Sequence, residues 1–142
     1  MKEQNFKNHS KFVIGFHGVA FFAIMALLIG SIINLINSSD DNLYLSSLSV
    51  LASVTLLLLS FFLRSFALRA QDRAIKAEEN FRHYLLTGKP LSNKITVRQI
   101  IGLRFSSDEE FPALAEKAEK ENLSEKEIKQ QIKNWKADTY RV

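Results

Sequence analysis

The polar residues whose chemistry could build a site are few. The most suggestive lie in the carboxy-terminal third, and they are Arg98, Arg104, Asp138 and Arg141. An arginine guanidinium can bind a carboxylate or a phosphate through two parallel hydrogen bonds. The same arginines could instead pair with Glu78, Glu79 or Asp138 and hold neighbouring helices together. We favour this structural pairing, which at a protein surface contributes about 0–1 kcal/mol.

His17 is a further candidate, because it is the only titratable residue inside a long apolar run. An ionisable group in such a position is by default a hypothesis for a proton or ligand site. The alternative is a neutral imidazole that bonds to a neighbouring serine or reaches lipid headgroups. We favour the alternative, because neither apolar run of the chain contains an acidic partner.

Signatures of enzymes, metal sites and cofactor sites are absent from the sequence. There is no cysteine, the histidines lack metal-ligand spacing, and no phosphate-binding loop, dinucleotide-binding or serine-nucleophile motif occurs. The acidic run from Asp108 to Glu110 follows Ser107, so capping of a helix amino terminus explains it better than a carboxylate site. We therefore predict no catalytic, metal-binding or cofactor-binding residue and no enzymatic activity.

Charge is segregated along the chain. Residues 12–63 are almost uncharged, residues 64–95 carry seven basic against three acidic residues, and residues 96–142 carry nine of each sign. The balanced charge of the last region argues against a nucleic-acid-binding surface. A basic excess beside an apolar region suits anionic lipid headgroups, which we expect near Arg64, Arg69, Arg73 and Lys76.

The almost uncharged region, residues 12–63, predicts a transmembrane hairpin. Its two apolar runs, residues 12–36 and 43–63, are long enough to cross roughly 30 Å of hydrocarbon, and the polar loop 37–42 suits a tight turn. A cleaved signal peptide fits less well, because the apolar core of a signal peptide is only about 7–15 residues long and the run 12–36 is longer. Lysine and arginine flank the outer ends and are missing from the loop, so the tail 1–11 and the carboxyl terminus are predicted to be cytoplasmic.

The second run continues as a helix through residues 64–88, where Gly88 and Pro90 predict its end. Acid–base pairs four residues apart, such as Glu78 with Arg82, should support it in water. One face carries a seam on alternating three- and four-residue intervals, the spacing that keeps a helix against a partner helix. Its selected members are Ser49, Ser53, Ala67, Ala70, Ala74, Ala77 and Phe81.

We expect the membrane part of this seam to pack inside the hairpin. The alanine part is flat, so either the chain's own carboxy-terminal helices or a second copy must cover it. Both alternatives are compatible with the sequence.

Residues 89–142 predict a unit of three short helices, each opened by a capping box. The three boxes are Thr96 with Gln99, Ser107 with Glu110, and Ser124 with Glu127. Such short helices bury little on their own. We therefore expect them to fold onto the long helix and to cover Phe81, Tyr84 and Leu85.

The third of these helices is predicted to extend from Glu125 to Lys136. Its lysines, including Lys129, would form a solvated or lipid-facing row opposite Ile128 and Trp135. A DNA-binding helix-turn-helix is a weaker alternative for this region.

Three passages follow the two apolar runs and carry a family resemblance: RAQDRAIKAEENFRHYLLTGK (69–89), RQIIGLRFSSDEEFPALAEKA (98–118) and LSEKEIKQQIKNWKADTYRV (123–142). Together with the two runs, they resemble a family of small bacterial membrane proteins of unknown function. It implies a bacterial cytoplasmic membrane and two spans, but no activity, substrate or functional residue.

The sequence thus predicts an all-α protein, with a two-helix transmembrane hairpin whose second helix continues into the cytoplasm and a small unit of three short helices. The function we expect is that of a membrane-anchored, non-enzymatic interaction or scaffold protein, with the bilayer and a homo-oligomer or another membrane protein as partners. The alternative is an accessory subunit of a membrane transporter or enzyme complex. A membrane-tethered nucleic-acid binder or enzyme fits less well.

Overall fold

The computed structural model describes residues 4–8 and 12–138, and this part of the chain is helical. A π-helical segment, Ile14–Ala20, leads into α1, Phe21–Ile36, and a 3-10 turn, Asp40–Asn42, leads into α2, Leu43–Thr87. Three shorter helices follow: α3 (Val97–Leu103), α4 (Phe111–Lys120) and α5 (Glu125–Gln131). Two long apolar helices followed by smaller ones confirm the predicted all-α class.

The chain divides into two compact units. Residues 12–67 form the hairpin unit, with α1 and the first part of α2. The described residues of Met1–Lys11 and Leu68–Val142 form the second unit, with the rest of α2 and α3 to α5.

Helix α2 runs for 45 residues without a break. It ends as the sequence predicts, because Gly88 adopts a φ of 72° and its N–H donates to the carbonyl of Tyr84 at 2.8 Å. The predicted pair of Glu78 with Arg82 is wrong. Arg82 bonds instead to Glu79 at 2.9 Å, because its guanidinium is turned toward the short helices.

The two helices of the hairpin unit meet through polar side chains. Ser31 Oγ lies 3.2 Å from Ser53 Oγ, and the amide of Asn34 donates to Ser46 Oγ at 2.9 Å. Ser31, Ser46 and Ser53 are buried. The part of the seam that lies in the hairpin unit therefore contacts α1, at Ser53.

The second unit is built around a compact apolar core. Leu103, Phe105, Phe111 and Ile128 are fully buried, and Ile75 is the core residue that α2 supplies. Helices α3 and α5 approach closely at Gly102, where an added Cβ would lie 3.2 Å from the carbonyl oxygen of Glu125.

Two of the three predicted capping boxes are confirmed, at Thr96 and Ser124. The one assigned to Ser107 is wrong, because α4 begins at Phe111 and its N-cap residue, Glu110, makes no side-chain cap bond. The Glu110 carboxylate instead accepts three bonds of 3.1 Å from the backbone N–H of Lys133 and from the backbone and side chain of Asn134.

This use of Glu110 explains why α5 is shorter than predicted. The helix ends at Gln131, and Ile132 is already extended (φ −67°, ψ 123°). The chain then runs beside Ser106, which forms an isolated bridge with Trp135. The predicted solvated lysine row is wrong at Lys129, which is buried, bonds to Glu125 at 2.6 Å and lies 5.3 Å from the Phe105 ring centroid. The other lysines of the row, Lys126, Lys133 and Lys136, are exposed.

The expectation that the short helices cover the aromatic end of the seam is wrong as well. Phe81, Tyr84 and Leu85 are 62%, 53% and 67% exposed. Helix α2 turns a different face to the core, that of Ile75 and Arg82, because Arg82 on that face donates a hydrogen bond to the carbonyl of Ser106.

Candidate functional site

Arg82 of α2 is the centre of a polar network in the second unit. Its Nε donates to Asp108 at 2.7 Å, its Nη1 to Glu79 at 2.9 Å, and its Nη2 to the carbonyl of Ser106 at 2.7 Å. The guanidinium also lies 4.5 Å from the Phe111 ring centroid, a cation–π distance. The network fastens α2 to the α3–α4 connection.

Arg82 also changes the acidity of its partner. Its hydrogen bond to Asp108 is the main reason why the pKa of that carboxyl lies below the ordinary value of 3.8. Lys136 adds a weaker attraction from 3.9 Å. Asp108 is thus held as a carboxylate for a structural ion pair, which replaces the helix-capping role expected from the sequence.

A cleft of about 360 Å³ lies beside this network, between α2 and the segment Lys136–Asp138. Arg104 and Asp138 meet there, with Arg104 Nη1 3.2 Å from Asp138 Oδ2. Arg104 is buried and its guanidinium lies 4.6 Å from the Phe105 ring centroid. The backbone N–H of Asp138 donates to the side chain of Gln4 at 2.7 Å.

The other candidate arginines do not join that cleft in the described residues. Arg98 lies 3.5 Å from Glu125, and its side chain is 79% exposed. Arg141 lies outside the described residues. The structure therefore joins Arg104 with Asp138 as a structural pair and places Arg98 on a separate, solvated one.

The seam changes character along α2. Ser53 is fully buried, and Ser49 and Ala67 are half-buried. The remaining members are exposed, and these are Ala70, Ala74, Ala77 and Phe81. The short helices therefore leave the alanine part of the seam open.

His17 lies in the π-helical segment of the hairpin unit. Its Nδ1 is 3.2 Å from both the backbone nitrogen and the backbone oxygen of Val13, and the Phe12 and Phe16 rings are 4.9 Å and 5.2 Å away. It borders an apolar cleft of about 290 Å³ with no acidic residue in its lining. Within the described residues, the imidazole thus contacts the backbone of Val13 and not the neighbouring serine that we favoured as its partner. The less favoured hypothesis of a proton or ligand site stays untested.

Comparison with known proteins places the whole chain in one family. The family model that matches residues 1–142 is described as a family of unknown function (DUF6526). The chain belongs to this family. The predicted family of unknown function is thereby confirmed, and no catalytic family is indicated. No curated protein and no solved structure matches the chain.

The candidate polar side chains of this DUF6526 chain bond to one another or to the backbone, which limits the chemistry that they could perform. In residues 4–8 and 12–138, no group of three or more histidine, cysteine, aspartate or glutamate side chains is arranged to hold a metal ion. The residue that sequence reasoning missed is Arg82, whose partners Asp108 and Ser106 are more than twenty positions away. No local pattern could have indicated it.

Proposed function

We propose that this protein is a membrane-anchored, non-enzymatic scaffold of the bacterial cytoplasmic membrane. In this proposal residues 12–63 span the bilayer as a hairpin, and both termini lie in the cytoplasm. The helical unit that begins at residue 68 is the part offered to protein partners.

The inverted distribution of polar and apolar side chains in the hairpin unit is the observation that carries the proposal. Ser31 and Ser53 are buried between the helices, while Phe22, Leu51 and Phe61 are 70%, 61% and 69% exposed. In water, large apolar side chains collect inside. In lipid, small and polar residues pack one helix on another and the apolar side chains face the acyl chains.

Length, hydropathy and charge support the same placement. An 18-residue window within Ile14–Ile36 has a mean hydropathy of 2.6 and one within the helical stretch Asp40–Thr87 has 2.1, so both helices are long and apolar enough to cross a membrane. Basic residues begin where the second apolar run ends, at Arg64 and Arg69, and each contributes about 1 kcal/mol beside an anionic surface. Arg73 and Lys76 follow further along α2.

The second unit supports an interaction role better than catalysis. Arg104, which is buried, and Arg82, whose side chain is 12% exposed, are bound to acids that hold the unit together. Its exposed side chains include the large apolar groups Phe81, Tyr84 and Leu85, which suit a protein surface.

Single cysteines test the anchor and its orientation, because the native chain contains none. We expect a membrane-impermeant maleimide to label Ser39→Cys, in the turn, in intact cells. The matched Asn93→Cys, which is equally exposed, should react only after the membrane is opened. Release of the chain from membranes by alkaline extraction, or labelling of both cysteines in intact cells, would contradict the proposal.

The alternative of an accessory subunit is separated by purification in mild detergent. A scaffold that functions on its own is expected to purify without a fixed companion. A second membrane protein that co-purifies at constant stoichiometry would favour the accessory subunit instead.

A further inference from the structure

Helix α2 keeps a continuous apolar face open in the second unit. We call this face the open seam and define it by its exposed residues Ala70, Ala74, Ala77, Phe81 and Tyr84. The core-facing residues Ile75 and Arg82 each follow a seam residue by one position, which turns them about 100° around the helix. The chain's own short helices are thus engaged on another face.

Charged residues of opposite sign on α2 flank the open seam. Arg73 and Lys76 line a cleft of about 400 Å³ on one flank. Glu78 lines the cleft on the other flank, where the remaining charged residues are of both signs: Glu79, Asp138, Arg104 and Lys136. Arg73 and Glu78 are both exposed, and neither makes an ion pair within the described residues. Arg73 on one flank and Glu78 on the other are therefore available to a partner helix that lies on the open seam.

We propose that a second copy of this chain occupies the open seam as a parallel helix pair, with Arg73 of each copy bound to the partner's Glu78. In a parallel coiled coil, a residue that directly precedes a core position on one helix lies opposite the partner-helix residue whose number is five higher. Arg73 precedes Ala74 and Glu78 follows Ala77, so the two charges have this spacing. Two identical pairs then form around a twofold axis.

The same charges oppose the antiparallel arrangement. In an antiparallel pair, equivalent flanks face each other, so Arg73 would meet the partner's Arg73 and Glu78 the partner's Glu78. Like charges in such positions are destabilising. The charge pattern therefore selects a parallel second copy over an antiparallel one.

The inference rests on the proposed membrane anchor for the orientation of the copies, since insertion by the same hairpin points every α2 in the same direction. Arg73 is exposed and makes no ion pair within the described residues. In this proposal it binds the partner, in place of the lipid headgroup expected there from the sequence. The alanines permit close approach of the two helices, and Phe81 and Tyr84 supply the larger apolar surface at the far end.

Disulfide cross-linking in native membranes tests the position of the second copy. We expect Ala70→Cys and Ala77→Cys to form covalent dimers on mild oxidation, because core positions bring equivalent Cα atoms within the roughly 7 Å that a disulfide spans. Arg69→Cys is the matched control, because it is exposed but lies off the seam. Cross-linking of the control to the same extent, or of neither seam variant, would overturn the proposal.

Exchange of the two charges tests the pairing itself. Arg73→Glu and Glu78→Arg should each weaken self-association about tenfold, because two attractive pairs become repulsive. The double variant should recover it, and a mixture of the two single variants should form mainly the mixed dimer, in which both pairs are attractive. Single variants that associate as well as the native chain would refute the pairing.

The two proposals fail in different ways. Chains that stay in the membrane but show no seam cross-link overturn the dimer and leave the anchor standing. Chains that cross-link at the seam but are released by alkaline extraction overturn the anchor and leave the dimer standing.

Discussion

Replacement of Arg82 by methionine is the most informative perturbation of the second unit. Methionine keeps a long, unbranched side chain over Phe111 but removes all the hydrogen bonds that the guanidinium donates. The carboxylate of Glu79 and the carbonyl of Ser106 then lose their donor.

The size of the effect depends on how far each bond is shielded from water. The side chains of Arg82 and Glu79 are both only 12% exposed, so removal of one partner leaves a nearly buried charge. Breaking a buried pair in this way costs about 3–5 kcal/mol. The bond to Asp108, whose side chain is 56% exposed, adds little because solvent screens it. We expect Arg82→Met to destabilise the unit by about 3 kcal/mol.

The fluorescence of Trp135 provides the assay. It is the only tryptophan of the chain, and its ring lies 5.2 Å from the buried Phe105 ring. Thermal unfolding of the full chain in detergent should show a midpoint lowered by about 12–24 °C, since 1 kcal/mol shifts a domain of this size by about 4–8 °C.

Arg98→Met is the matched control, because it removes an arginine whose ion pair is solvated. It should shift the midpoint by no more than a few degrees, because exposed pairs contribute less than about 1 kcal/mol. Equal shifts for the two variants would refute the reasoning that Arg82 holds the unit together.

Three further predictions concern other contacts. The pKa of Asp108 is lowered in the folded state, so the contribution of its carboxylate to stability is complete above pH 3.8 and is lost as the pH falls below that value. Asp108→Asn should therefore reduce the loss of stability at acid pH (the acid limb), measured by Trp135 fluorescence during thermal unfolding (Trp135 melts) at a series of pH values. Gly102→Ala should destabilise the unit by about 1–3 kcal/mol, because its Cβ would press on α5 at 3.2 Å, as the same melts would show. Ser53→Leu should loosen the hairpin, because its site is fully buried, as measured by faster proteolysis in detergent.

Each of these predictions has its own control. An acid limb that is unchanged in Asp108→Asn would assign the transition to other carboxyls. Gly30→Ala introduces the same methyl group in open space and should leave the melts unchanged. Ser53→Ala conserves the small size, so it should cost only the hydrogen bonds of the hydroxyl to Ser31 and to the Ser49 carbonyl, each about 0.6 kcal/mol in a membrane. Proteolysis as fast as that of Ser53→Leu would contradict the steric explanation.

Features of the fold that depend on neighbours in sequence were predictable. Each of these features depends on residues that are close in sequence. They are the long apolar runs, the helix end at Gly88, and the capping boxes at Thr96 and Ser124. Local hydrogen bonds and hydropathy dominate at these positions, so the sequence pattern is sufficient.

Features that depend on distant partners were not predictable in this way. Glu110 has the type and spacing of a capping residue, yet it binds Lys133 and Asn134 more than twenty positions later. Lys129 has the spacing of a solvated lysine, yet it is buried against Phe105. In both cases a tertiary contact overrides a local preference, and a single sequence does not show which distant group supplies it.

The choice of the face by which α2 meets the short helices has a physical reason. The apolar residues Phe81, Tyr84 and Leu85 could pack against almost any apolar surface, because apolar burial is non-directional. Arg82 could not, because its donors require acceptors at fixed positions, and those are supplied by Glu79, Asp108 and Ser106. Directional bonds therefore fix the intramolecular contact and leave the less selective apolar surface exposed. In the proposed dimer, Arg73 and Glu78 beside the open seam would add the selectivity that its small and aromatic residues lack.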